Sequence, residues 1–161
     1  MTKTKKMLTS TIAALALAGM SSQALAGHSC PRPREAAALK TAAIQQQLMV
    51  AALTCQQTHS YNRFVTAYRS DLQRSDAHLR HYFRHHGGMS AYHAYKTKLA
   101  NRASLRSLHN PRRYCAESRS IFWEAFEHSH EPLIRLVAEL PSDSGAGVAG
   151  CDMRLAERGD E

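Results

Sequence analysis

Three histidines, His78, His81 and His85, recur at spacings of three and four residues. On a helix they share one face, a geometry in which imidazoles grip a single zinc, copper or nickel ion. Arg74 and Arg84 fall on the same side of the wheel. Guanidinium groups oppose a divalent cation, and no carboxylate or cysteine completes the ligand set. The simple expectation is a solvated basic face, with a divalent-metal site as the sharper alternative. His86 falls instead on the apolar stripe of the same segment, where it reads as a packed or capping histidine.

A second constellation is cationic. Lys98, Arg102 and Arg106 stand at i, i+4 and i+8 and make a ridge along one helix, with Lys96, Arg112, Arg113 and Arg119 close by in sequence. Between Lys96 and Arg119 only Glu117 opposes them. The candidate anion-binding set is therefore Lys98, Arg102, Arg106, Arg112 and Arg113. Tyr92 and Tyr95 fall on the inner side of that helix, so the ridge lacks the exposed aromatic platforms of a single-stranded nucleic-acid binder. It also matches no common nucleic-acid fold.

Other chemistry is absent from the pattern. Glu127 and His130 make one Glu-x-x-His, whereas a di-iron bundle needs two such motifs and further glutamates on other helices. The first helical segment offers only Glu35 and the second only Asp71 and Asp76. Met49 as a haem ligand is outweighed by the commoner role of methionine in filling a core. There is no C-x-x-C and no C-x-x-C-H, which weighs against thioredoxin-like redox chemistry and covalently attached haem. No nucleophile with base and orienting acid stands out. The chain reads as a non-enzymatic protein with no required cofactor.

These side chains need elements to position them, and export to set their conditions. Lys3, Lys5 and Lys6, the apolar run Met7 to Met20 and Ala24-Leu25-Ala26 form a secretory signal peptide over residues 1–26, whose apolar run is too short to span a bilayer. Its removal leaves 18 basic against 13 acidic side chains, a charge of +5 that protonation of all ten histidines takes to +15. Such a charge permits an anionic partner, either an envelope component or a protein. Cys30, Cys55, Cys115 and Cys151 all lie beyond the cleavage site. An even count in a small exported chain points to two disulfides in the periplasm or outside the cell.

The stretch LKTAAIQQQLMVAALTC (39–55) is apolar on opposite faces: Ile44, Leu48, Ala51 and Cys55 on one, Leu39, Ala43, Val50 and Leu53 on the other. A helix of that kind is buried among neighbours. Gln45, Gln46 and Gln47 should lie near the surface or bond to adjoining helices. The helix is expected from about Glu35 to Thr58.

A second, single-stripe helix follows, carrying Tyr61, Phe64, Val65, Tyr68, Leu72, Leu79, Tyr82 and Phe83 and ending at Gly87-Gly88. Ser90 would cap a third, about Ala91 to Leu108. Asn110-Pro111 opens a fourth that runs to about Glu127. Pro132 starts a short fifth, Leu133 to Leu140. Residues 141–150 are a Gly/Ser-rich linker to a charged tail. The domain is thus 27–140, with 141–161 appended.

The expected fold is all-α, an up-down-up-down four-helix bundle with a short fifth helix. In that topology Cys55 and Cys115 lie at one end and Cys30 and Cys151 at the other. The expected pairing is Cys55–Cys115 and Cys30–Cys151.

The segments LKTAAIQQQLMVAALTC (39–55), YNRFV (61–65) and YHAYKTKLANRASLRSLH (92–109) resemble a group of small exported helical proteins of α-proteobacteria. The resemblance covers roughly residues 28 to 127. It implies export and a helical fold, and it carries no activity, ligand or catalytic residue.

Overall fold

The computed structural model describes residues 31–140. The expected signal peptide, the Cys30–Cys151 bridge, and the linker and tail over 141–161 lie outside the described residues. Within them are six helices and no strand: α1 (Pro33–Thr54), α2 (Thr58–Ala67), α3 (Arg69–His85), α4 (Gly88–His109), α5 (Pro111–Glu127) and α6 (Leu133–Glu139).

The apolar character of α1 on both sides has a direct consequence: α1 packs against all five other helices. Ile44 and Leu48 meet Phe64, Tyr68 and Leu72 on one flank, with Phe122, Leu136 and Val137. Leu39 and Ala43 meet Leu79, Phe83, Tyr92 and Leu99 on another. Val50 and Ala51 meet Ala103 and Tyr114 near the C-terminal end. Leu53 departs from the expected inner face and is 76% exposed, although Ala51 and Ala52 of the same turn are buried.

Gln46 and Gln47 are buried, not superficial. Gln47 bonds to neighbouring helices: its carbonyl accepts from the Tyr114 hydroxyl at 2.8 Å, and its side-chain oxygen accepts from Arg106 at 3.3 Å. Lys40 is buried as well, and its Nζ donates to the Ala138 carbonyl at 3.2 Å, tying α1 to the end of α6. Burial lowers the pKa of that ammonium, since desolvation disfavours its charged form.

The second helix expected from the stripe is two. Tyr68 interrupts it with φ −104° and ψ 20°, although α-type hydrogen bonds continue on either side, Tyr68 N–H to Phe64 and Leu72 N–H to Tyr68. No glycine or proline is present to cause the bend. The cause is the buried Tyr68 hydroxyl, which lies 2.8 Å from the Ala125 carbonyl and 3.1 Å from that of His128. A buried phenol seeks a polar partner, and here it finds one at the end of α5.

The start of α4 also differs from expectation. Gly87, not Ser90, occupies the position before it, with φ +92°. That left-handed conformation favours glycine, and a Cβ added there would stand 2.9 Å from the Ala91 Cβ. The start of α5 is as expected: Asn110 accepts from the Arg113 N–H at 3.1 Å, and Pro111 takes the first helical position. Cys55 and Cys115 form a disulfide that joins the end of α1 to the first turns of α5.

Candidate functional site

The one-residue connection at Asn110 and the Arg106–Glu117 ion pair hold the C-terminal half of α4 against the N-terminal half of α5, which the Cys55–Cys115 bond ties to α1. Between them lies an open groove of about 1260 Å³. Lys98, Arg102, Arg106 and His109 reach it from α4, and Arg113 and Glu117 from α5. The i, i+4 spacing of the first three sets them about 6 Å apart along the helix axis. Four of the five expected anion-binding residues therefore line one groove. Arg112 does not, because the first turn of α5 directs it to the exposed outer side of that helix.

The cations of the groove are not equivalent. Arg106 donates to Glu117 at 2.7 Å and to Gln47, and its guanidinium lies 5.7 Å from the centre of the Tyr114 ring. It ties α4 to α1 and α5 while facing the groove. Arg113 donates through Nε to the other Glu117 oxygen at 2.7 Å. One carboxylate thus organises two guanidinium groups and fixes their orientation, as bidentate acceptors do. Lys98 is exposed and makes no hydrogen bond or ion pair among the described residues, and the same holds for Arg112 and Arg119. Arg112 and Arg113 also stand in the first turn of α5, where the helix dipole is positive and basic side chains cost stability instead of adding it.

Tyr114 forms the floor. Its hydroxyl is bonded to the Gln47 carbonyl, and burial pushes its pKa up to about 12. Tyr95, whose hydroxyl donates to the Leu39 carbonyl at 3.1 Å, is raised further by the same cause. Neither phenol is positioned as an acid or base for chemistry in the groove, since each has its proton engaged with backbone.

The histidine face looks different. His81 and His85 sit with ring centres 5.0 Å apart on the outer side of α3. His78 turns away toward a separate cleft shared with Arg34, Asp71, Arg74 and Pro132. Among the described residues no three histidine, cysteine or acidic side chains are grouped to hold a metal ion. His86 is exposed, yet its ring stacks on Tyr82 at 4.3 Å, so its packing is against one tyrosine at the helix end and not within the core. The Glu-x-x-His segment forms a polar junction before Pro132: His128 stands 3.8 Å from Glu124 and 3.5 Å from Glu131, and Arg135 stands 3.8 Å from Glu131.

Four exposed apolar residues on α4 and α5 escaped the sequence reading, Met89 at the start of α4 being the least exposed. Leu105 is 67%, Leu108 76% and Trp123 66% exposed. Trp123 falls about 100° around α5 from the inward-facing Phe122, and that offset is visible on a helical wheel. The role of Glu117 as a clamp was not, because it depends on α4 and α5 lying side by side.

Among the described residues no helix is long and apolar enough to cross a membrane. No family model, curated protein or solved structure matches the chain.

Proposed function

We propose that this is an exported, non-enzymatic envelope protein whose α4/α5 groove binds an anionic partner. The observation that carries the reading is the convergence of Lys98, Arg102, Arg106 and Arg113 on one open groove opposed by a single carboxylate. That carboxylate holds two of the cations in place, so part of the site is preorganised. His109 also lines the groove, beside Arg102 and Arg106 on α4 and facing Arg113 and Glu117 on α5. The chain carries ten histidines, so its overall positive charge rises in mild acid and binding strengthens there. The Cys55–Cys115 bond supports the exported setting, where disulfides persist.

The same reading takes α1, the α2/α3 pair, α4 and α5 as the four members of an up-down-up-down bundle. Its support is the set of ties between helices: Tyr95 to Leu39, Arg106 and Tyr114 to Gln47, and Cys115 to Cys55.

Inorganic polyphosphate is a suitable probe. Binding measured by calorimetry should weaken steeply as salt rises from low to physiological concentration, as contacts between charges do. Lys98→Glu combined with Arg102→Glu should weaken it at least tenfold with the helical content unchanged. Arg106 is left intact in this variant because it also holds α4 to α1. Equal affinity in the variant would remove the groove from consideration.

A second reading rests on the proximity of the His81 and His85 rings, which offers two imidazoles to a zinc, copper or nickel ion. Elemental analysis of untagged protein tests it. One equivalent of metal, lost in a His78→Ala/His81→Ala/His85→Ala variant, would favour metal binding over the groove.

A further inference from the structure

We infer that the anionic partner of the groove is a lipid surface, and that the outward side of the α4–α5 pair is where the protein docks on it. This inference rests on the groove reading above. What it adds comes from three apolar side chains that the fold leaves in solvent on the same two helices.

On α4, Leu105 lines the groove beside Arg102, Arg106 and His109, and Leu108, also exposed, stands about one turn further along the helix. On α5, Arg112, Ala116, Arg119 and Trp123 recur at three- and four-residue spacing, and all four are exposed. The two helices are neighbours, and Glu117 of α5 joins them through Arg106 of α4. Their outward sides therefore present leucine, leucine and the chain's single tryptophan among lysine and arginine.

A site for a small soluble anion needs the cations but has no use for exposed leucines and tryptophan. A bilayer interface uses both. Phosphate headgroups meet the cations, leucine enters the acyl boundary, and tryptophan settles at headgroup level with its ring in apolar surroundings and its N–H toward water. Basic residues near an anionic leaflet add attraction that falls off within a Debye length. The cations without assigned partners, Lys98, Arg112 and Arg119, are spread over the outer sides of both helices. That spread suits many headgroups in a plane better than one ligand in a cleft. The arrangement is one of docking, with no helix entering the bilayer as a span.

The full-length mature protein supplies its own probe, because Trp123 is the only tryptophan. Vesicles of phosphatidylcholine containing phosphatidylglycerol, and vesicles of phosphatidylcholine alone, are titrated into it. The expected result is a blue shift of Trp123 emission and protection from iodide with the anionic vesicles only, reversed by high salt. Leu105→Ser with Leu108→Ser should weaken vesicle binding at least tenfold, and Leu108→Ser alone, outside the groove lining, should weaken it severalfold and leave polyphosphate binding unchanged. Both leucines are exposed, so the fold should survive their replacement.

Polyphosphate binding with no binding to anionic vesicles would overturn the lipid inference and keep the groove, pointing to a soluble anion or an acidic protein. Vesicle binding without a blue shift, and unaffected by the leucine changes, would also overturn it and leave simple charge attraction. Failure to bind either probe would remove the groove reading and the lipid inference together.

Discussion

Glu117 accepts from Arg106 and Arg113 at once, so it both orients and partly neutralises the groove. Glu117→Gln separates those effects. Loss of the carboxylate charge should raise polyphosphate affinity severalfold and lower the unfolding free energy from denaturant titration by about 1 kcal/mol, for weakened charge-assisted bonds. A fall in affinity would mean that orientation outweighs charge. Tyr114 gives a prediction with a sign. Its folded pKa is raised to about 12 from the ordinary value of about 10. Between those values the native state keeps a proton that the unfolded chain has released. The stabilisation is therefore fully present below about pH 10 and is lost as pH rises toward 12, an effect of roughly 2–3 kcal/mol. Stability measured by urea denaturation from pH 9 to pH 11.5 should fall more steeply for the native chain than for Tyr114→Phe.

At the scale of elements, the short α6 depends on residues outside it. Pro132 precedes it and offers no side-chain acceptor, so the Leu133 N–H is taken by the Asp71 carboxylate of α3 at 2.8 Å. Lys40 of α1 meets the other end at the Ala138 carbonyl. Leu133, Leu136 and Val137 supply the buried face between those polar anchors. Asp71→Ala removes a cap delivered from another helix, at a cost of about 1 kcal/mol. Hydrogen exchange should then accelerate across Leu133–Glu139 while the amides of α5 keep their protection. Uniform acceleration in both helices would mean that α6 does not open on its own. Ser90 marked a start that α4 does not use, but Asn110-Pro111 was legible because its chemistry is local. The bend at Tyr68 was not, because its cause is a carbonyl that lies 57 residues away in sequence.

At the scale of the molecule, the Cys55–Cys115 bond closes a segment with a sequence separation of 60. In the chain-entropy account a loop of that size contributes on the order of 4 kcal/mol. A Cys55→Ala/Cys115→Ala variant should lose about that much in chemical denaturation and show a lower melting temperature. It should also bind polyphosphate more weakly, since the bond is one of the ties that hold α5 to α1 beneath the groove. Retained stability would mean that packing of Tyr114 against Val50, Ala51 and Ala103 suffices at that end.

The sequence by itself determined that the chain is helical, that 39–55 is the helix the others cover, and that Cys55 and Cys115 meet. Each follows from near-neighbour information: apolar periodicity, cap residues, and loops short enough to make successive helices neighbours. It also marked the cations, because i, i+4, i+8 spacing needs only one helix to be seen. Tertiary structure decided which of those cations share a groove, that Arg106 is a strut as well as a ligand candidate, and that Arg112 faces elsewhere. It decided that His78 parts from His81 and His85, and that Leu105, Leu108 and Trp123 stay in solvent. Those outcomes depend on which face of a helix finds a neighbour, and on polar bonds that reach across long separations in the chain. Periodicity describes a face, but only packing determines whether anything covers it.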